Sequence, residues 1–302
     1  MLSLSANSIA SATRSGHVNN RTNSSIRFYG RQDTAYVANS ETSNCQFLDD
    51  NDFSISLWIK PTFYAGYAGT TGDSPGKPGD TMAIMNVVTL GVSNDDFFDI
   101  VFYGSALVGT AAYYITLVEN NATDTYIVYS NNALESTLWG TWQHIVFTAD
   151  RDGNGTMYFN GSSVVTADIS GHQGDFATVG SDIGLELGNK AGNVYGFQGN
   201  MDDFAIWKDA LLTADDVTSI YNGGRPNDLT QAASYDSDKS GKLSCYYRFN
   251  DMNPNLTFPR STTADTSKDY SGVSYTGGSV LTINEKGTVG RACSDPSTPL
   301  NP

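Results

Sequence analysis

The chain has 302 residues, 39% of them hydrophobic and 12% aromatic, with 30 glycines and a formal net charge of −15 from 32 acids against 17 bases. That size and apolar content suffice for one large β-rich domain with extensions, or for two ordinary domains, and they exclude disorder throughout. No cluster of Lys or Arg interrupts the negative charge, which excludes a nucleic-acid partner held through its phosphates; the charge favours solubility and leaves single divalent-cation sites open.

Residues 1–24 are rich in Ser and Asn and lack periodicity, so they read as an N-terminal arm, with Leu2, Leu4 and Ile9 available to dock on a partner. The arm has no basic start followed by an apolar core, as a secretory signal would. No stretch reaches the length of a membrane span, so no membrane insertion is expected. From "SIRFYG" to about residue 225, short apolar or alternating runs recur between Gly, Asn and Asp turns. They include "FSISLWIKP", "TMAIMNVVTLGV", "FFDIVFYG", "AYYITLVE", "DTYIVYS", "WQHIVFTADR", "TMYFNG", "IGLELGN" and "MDDFAIW". This spacing predicts an antiparallel β-sandwich over residues 25–225. The Gly/Pro/Thr stretch at 65–81 is too poor in apolar residues for a core strand and reads as an exposed loop.

One segment reads as a helix: "LLTADDVTSIYNGG". Thr213 suits the N-cap, Asp215 and Asp216 favour the positive helix start, and Gly223 suits the end. Beyond Gly224, residues 226–302 form an extension. "CYYRF" reads as a strand and "VSYTGGSVLTI" as two short strands around a Gly-Gly turn; so small a segment is expected to pack on the sandwich.

"GNMDDFAIW", residues 199–207, poses a problem. Strict alternation sends Asp202, Phe204 and Ile206 to one face and Met201, Asp203, Ala205 and Trp207 to the other, so one acid faces a core. A carboxylate there must be hydrogen-bonded, paired or bound to a metal. Elsewhere the chemistry is sparse. Cys45, Cys245 and Cys293 show no CxxC spacing and fit reduced thiols, with a Cys245–Cys293 bridge as the alternative. His17, His144 and His172 lie far apart, and His144 reads as a packed residue of its strand.

The ordered set "FSISLWIKP", "TWQHIVFTADRDGNGTMYFNG", "IGLELGN" and "FQGNMDDFAIWKDALLTADDVTSIYNGG" resembles laminin G-like domains of the concanavalin A-like lectin/glucanase superfamily. The resemblance implies a jelly roll of two antiparallel sheets. It further implies a structural calcium held by Asp202, with Gly30 and Asp33 as weaker candidates, and oxygen ligands of this kind suit calcium. The alternative for Asp202 is hydrogen bonding to backbone amides. The segment "LSCYYRFNDMNPN" followed by "DYSG" also resembles an element that accompanies such domains in marine phage and bacterial proteins, although Tyr247 stands where a tryptophan is more usual.

The same fold houses glucanases, whose retaining members need two carboxyl groups about 5–5.5 Å apart, supplied by a Glu-x-Asp-x-(x)-Glu strand. The five glutamates, Glu41, Glu119, Glu135, Glu186 and Glu285, are too widely spaced to form one. No catalytic residue is therefore assigned. Tyr64, Tyr67, Trp139 and Tyr195 are candidates for stacking on sugar rings. The expectation is a non-enzymatic structural or binding module. The resemblance points to a phage virion component (decoration, tail-associated or fibre protein), assembled in the host cytoplasm with other virion proteins or with itself. The alternatives are a soluble, extracellular lectin for cell-surface polysaccharide and, behind it, a divergent glycosidase.

Overall fold

The computed structural model describes residues 24–29, 34–38, 51–61, 83–90, 97–105, 110–118, 125–131, 140–173, 183–188, 197–227, 229, 235–247, 281–284 and 292–294. They form two antiparallel sheets facing one another across a shared apolar core, the all-β sandwich that the alternating runs predict. The first sheet holds β1 (Ser24–Tyr29), β3 (Phe53–Pro61), β8 (Gln143–Ala149), β9 (Asn154–Phe159), β10 (Ser162–Asp168), β12 (Gln198–Lys208), β13 (Leu243–Tyr247) and β15 (Ala292–Ser294). Its order is β10-β9-β8-β3-β12-β1-β15, and β13 pairs with the C-terminal half of β12. The second holds β2 (Thr34–Ala38), β4 (Ala83–Leu90), β5 (Phe97–Ser105), β6 (Thr110–Val118), β7 (Thr125–Asn131), β11 (Ile183–Leu187) and β14 (Leu281–Asn284). They run in the order β14-β2-β11-β4-β5-β6-β7.

Alternation builds the core directly. Phe53, Ile55, Leu57 and Ile59 of β3 meet Phe98, Ile100 and Phe102 of β5 and Ile115 and Leu117 of β6 between the sheets, all buried. Phe98 stacks on Phe147 at 5.4 Å and receives the edge of Phe53 at 5.7 Å, so this aromatic group bridges the two layers. Each such side chain removed from water contributes about 1.5–3 kcal/mol. Between β9 and β10 the chain reverses through Asn160 and Gly161, with φ of 48° and 82°. Two left-handed residues in succession are what a two-residue hairpin of type I′ requires. A Cβ on Gly161 would also lie 2.7 Å from the Tyr221 ring.

The helical segment forms α1 (Ala214–Tyr221). Thr213 accepts from the amide of Asp216, while the Asp216 carboxylate accepts from the amide of Thr213, a reciprocal capping box. The helix closes on Asn222, which is left-handed at φ 47°, one residue before the expected Gly223. Val217 and Ile220 are buried on its inner side. A short second helix, α2 (Ser237–Ser240), precedes β13. Together α1, Leu229, Tyr235, Leu243 and Tyr246 cover Val146, Tyr158, Ala205 and Trp207, so a second apolar cluster lies on the outer face of the first sheet. Trp207 donates its indole N–H to Tyr235 at 2.9 Å, and Tyr235 donates to the Leu229 carbonyl at 3.1 Å. Burial pushes the Tyr235 phenol up in pKa.

Strict alternation fails in β12. Met201, Phe204 and Ile206 all belong to the inner core, whereas Ala205 and Trp207 belong to the outer cluster. The register steps from Asp202 opposite Trp58 to Ala205 opposite Ser56, which inserts one extra residue into β12. That is a β-bulge, and Asp203 sits in it at φ 46°.

Candidate functional site

The outer face of the first sheet is polar at its base. Ser54 donates to the Ala210 carbonyl and accepts from the Leu212 amide, both at 3.0 Å, which ties the approach to α1 onto β3. Ser56 hydrogen-bonds His144 Nε2 at 2.8 Å. The His144 ring is stacked on Trp58 at 4.8 Å and on Tyr221 at 5.9 Å, and it is wholly buried. Burial lowers its pKa to about 3, so the imidazole is neutral at ordinary pH. The pattern matches the packed role expected from the sequence and keeps this Ser–His pair away from any substrate.

Asp202, the candidate calcium ligand, lies in the same layer. It is 2% exposed, and its Oδ1 accepts the Asp203 amide at 2.9 Å across the bulge. Asp203 is equally buried and accepts the Tyr246 hydroxyl at 2.6 Å. Thus the bulge sends both acids away from the inner core, and hydrogen bonds lock its geometry. Gly30 and Asp33 lie outside the described residues. Among the described residues, no three His, Cys, Asp or Glu side chains form a group that would hold a metal.

The outer face of the second sheet differs. Cross-strand register aligns the positions of Tyr36, Glu186, Thr89, Asp99, Thr116 and Tyr126 in one row, and those of Val101, Tyr114 and Val128 in the next. Glu186 and Asp99 stand two strands apart, about 9–10 Å between backbones. Glu186 is 2% exposed and Asp99 5%, whereas Val101 and Tyr114 are half-buried and Val128 and Tyr126, on the edge strand, are 38% and 58% exposed. Among the described residues, Tyr126 and Val128 are the exposed large hydrophobic side chains, and neither apolar cluster covers this face. Chemically it offers aromatic and methyl surface at its edge strand and, buried deeper, the Thr116 hydroxyl and the two carboxylates. That combination suits the apolar faces and hydroxyls of sugar rings.

Tyr64, Tyr67, Trp139 and Tyr195, the aromatic residues nominated from sequence, lie outside the described residues. Sequence reading passed over Tyr114 and Tyr126 because they sit inside strand runs. The available signal was alternation in "DTYIVYS": once Ile127 is placed inward, Tyr126 and Val128 must point outward.

A family model described as the concanavalin A-like lectin/glucanases superfamily, laminin G type, matches residues 30–218, and the chain belongs to that family. No curated protein sequence matches the chain. Among solved structures, it is similar to a heptameric SAP-like pentraxin from Limulus polyphemus, with 18% identity over 68% of this chain and 86% of that one, at a TM-score of 0.47. It is also similar to the binding domain of botulinum neurotoxin serotype G, with 19% identity over 65% of this chain and 41% of that one, at 0.43. A third likeness is to the binding domain of botulinum neurotoxin DC in complex with SialylT, with 18% identity over 57% and 35%, at 0.39.

Proposed function

We propose that the protein is a non-enzymatic carbohydrate-binding module whose ligand surface is the outer face of the second sheet around Tyr114, Thr116 and Tyr126. The observation that carries this reading is the contrast in exposure. In a family that includes lectins, the outer face of the second sheet bears, at its edge strand and beside the buried Thr116, Asp99 and Glu186, the exposed aromatic side chain of the described residues, while the outer face of the first sheet is sealed by its own apolar cluster. Hydrolysis is disfavoured because Asp99 and Glu186, the two carboxylates on that face, are both buried, whereas glycosidase carboxyl groups must flank a substrate bond. Placement in a phage virion, assembled in the host cytoplasm, is a finer proposal supported by the resemblance of the C-terminal element and by cysteines that fit reduced thiols.

Glycan-array binding of the full chain tests the central reading, followed by titration of Tyr126→Ala. Losing one stacking ring should weaken the best glycan about tenfold, roughly 1.4 kcal/mol, with an unchanged melting temperature. Equal binding by the variant removes this face from the site, and shortening of the bound polysaccharide restores the enzyme reading. Alanine substitutions at Tyr64, Tyr67, Trp139 and Tyr195 in the same assay show whether those rings share the ligand. Calcium dependence is read by repeating the titration with chelator.

A further inference from the structure

The dipeptide Asn-Gly occurs three times in the chain, at 154–155, 160–161 and 222–223. It favours loss of the asparagine amide, because glycine lacks the Cβ that would hinder its own nitrogen from attacking the preceding side chain. In that reaction the Gly nitrogen bonds to the Asn Cγ, the Cγ–Nδ2 bond breaks, and ammonia leaves with the proton from the Gly amide. Water then opens the five-membered imide at either carbonyl, giving aspartate, or isoaspartate in which the chain runs through the side-chain carbonyl. The Gly amide must be able to lose its proton to solvent, and the chain must be free to turn that nitrogen toward Cγ.

Two of the three sites are held. Gly155 is buried in β9 between Ala149 of β8 and Ala167 of β10, and a Cβ there would lie 2.7 Å from the Phe147 ring. Asn160 donates its amide to the His144 carbonyl at 2.8 Å and accepts the His144 amide on Oδ1 at 2.9 Å, so β8 fixes both its backbone and its side chain. Gly161 accepts the Thr218 hydroxyl at 3.3 Å and abuts the Tyr221 ring. Asn222 differs. It and Gly223 are both exposed at the end of α1, left-handed at φ 47° and 62°, and a Cβ on Gly223 would meet nothing within 4 Å. Among the described residues no acceptor takes the Gly223 amide, whereas Thr218 takes that of Asn222, and Tyr221 takes those of Gly224 and Arg225. The Asn222 side chain donates to Asn227 at the surface, at 3.0 Å. Helix ends fray, so this turn opens without unfolding the sheets.

We propose that Asn222 is a site of spontaneous deamidation through which the helical cover of the first sheet loosens as the protein ages. The product puts a carboxylate at the negative end of a helix that has no basic residue in its last turn. Isoaspartate also adds a methylene to the backbone at the left-handed cap, where Gly224 and Arg225 reach back to Tyr221. Tyr221 in turn stacks on Trp58 at 5.7 Å and on His144, so the change reaches the layer that α1 seals. This chemistry is independent of any ligand on the second sheet.

Peptide mapping by mass spectrometry of the full chain, aged at mildly alkaline pH and sampled over time, is the test, with the chain unfolded in guanidinium as reference. The unfolded chain should lose all three amides at similar rates. The folded chain should lose that of Asn222 about tenfold or more faster than those of Asn154 and Asn160, a barrier difference of about 1.4 kcal/mol or more. Aged wild type should melt at a lower temperature than fresh protein. Asn222→Gly, which removes the amide and suits the left-handed position, should melt at the same temperature before and after ageing. Asn154 or Asn160 reacting as fast as Asn222 in the folded chain, Asn222 intact when the unfolded chain has reacted, equal melting of fresh and aged wild type, or a fall in melting that Asn222→Gly shares would each overturn the proposal.

Discussion

The outer faces of the two sheets invert the hydropathy expected of them. On the first sheet Ser54, Ser56, His144, Asp202 and Asp203 are polar yet buried; on the second, Tyr126 and Val128 are apolar yet exposed. The difference comes from what lies above each sheet, since α1, Leu229, Tyr235, Leu243, Tyr246 and Trp207 form a second cluster over the first. Burial of polar groups there is tolerable because they are hydrogen-bonded: Ser54 to the chain approaching α1, Ser56 to His144, Asp202 and Asp203 at the bulge. Residue type alone therefore assigns neither face. The sealed face contributes stability, and on the other the edge-strand side chains Tyr126 and Val128 face solvent.

Removing the cover should have the largest effect. A chain ending at Gly224 lacks Leu229, Tyr235, Leu243 and Tyr246, and it loses the strand that pairs with the C-terminal half of β12. It should expose Trp207 and Ala205 and aggregate, as an uncovered apolar patch would. Soluble yield and thermal melting measure this, and a soluble product with the parent melting temperature would show that the cover contributes no stability. A milder break is Trp207→Ala, expected to cost about 3–5 kcal/mol in urea unfolding because it empties a buried aromatic site. It also strands the Tyr235 hydroxyl without its indole donor.

Acid probes the same layer. His144 has a folded-state pKa of about 3, below its ordinary 6.5, because burial disfavours the charged form. The unfolded chain therefore binds the extra proton first. The stability associated with the neutral ring is complete above about pH 6.5 and declines as pH falls toward 3, by up to about 1.4 kcal/mol per pH unit. From pH 6.5 to 5 the expected loss is about 1.5 kcal/mol, read as the difference between wild type and His144→Gln, which cancels contributions from other groups. Parallel pH profiles for the two proteins would mean that the imidazole is not held neutral.

Much of this architecture is legible in the sequence because it is local. The runs that become β3 to β9 alternate, and Thr213 stands three residues before Asp216, so strands, turns and helix start follow from short-range rules. Elements that depend on a partner strand or on a distant segment are less legible. β10, "SSVVTAD", is largely polar, and it is a strand because the Asn160–Gly161 turn folds it onto β9. The partners of Ser54 lie more than 150 positions away. For the candidate site, Asp202 stands out in the sequence as an acid among large apolar side chains, but its environment follows from the register of β12 against β3, which no local pattern encodes. Tyr114 and Tyr126 needed the inner face of the second sheet to be known first.

The bulge supplies the smallest and most discriminating prediction. Replacing Asp202 by Asn keeps an oxygen to accept the Asp203 amide but removes the charge, so the bulge should persist. The cost should be about 1 kcal/mol, the difference between a charge-assisted and a neutral hydrogen bond. If the carboxylate serves only the bulge, chelation leaves the gap between wild type and variant unchanged. A calcium ligand behaves otherwise: metal bound to the folded state alone raises the wild-type melting temperature by mass action, and Asn, lacking the charge, would forfeit most of that rise. Melting both proteins with calcium and with chelator therefore separates the two roles, and a calcium-dependent gap would move Asp202 from the sealed layer's hydrogen-bond framework to a metal site.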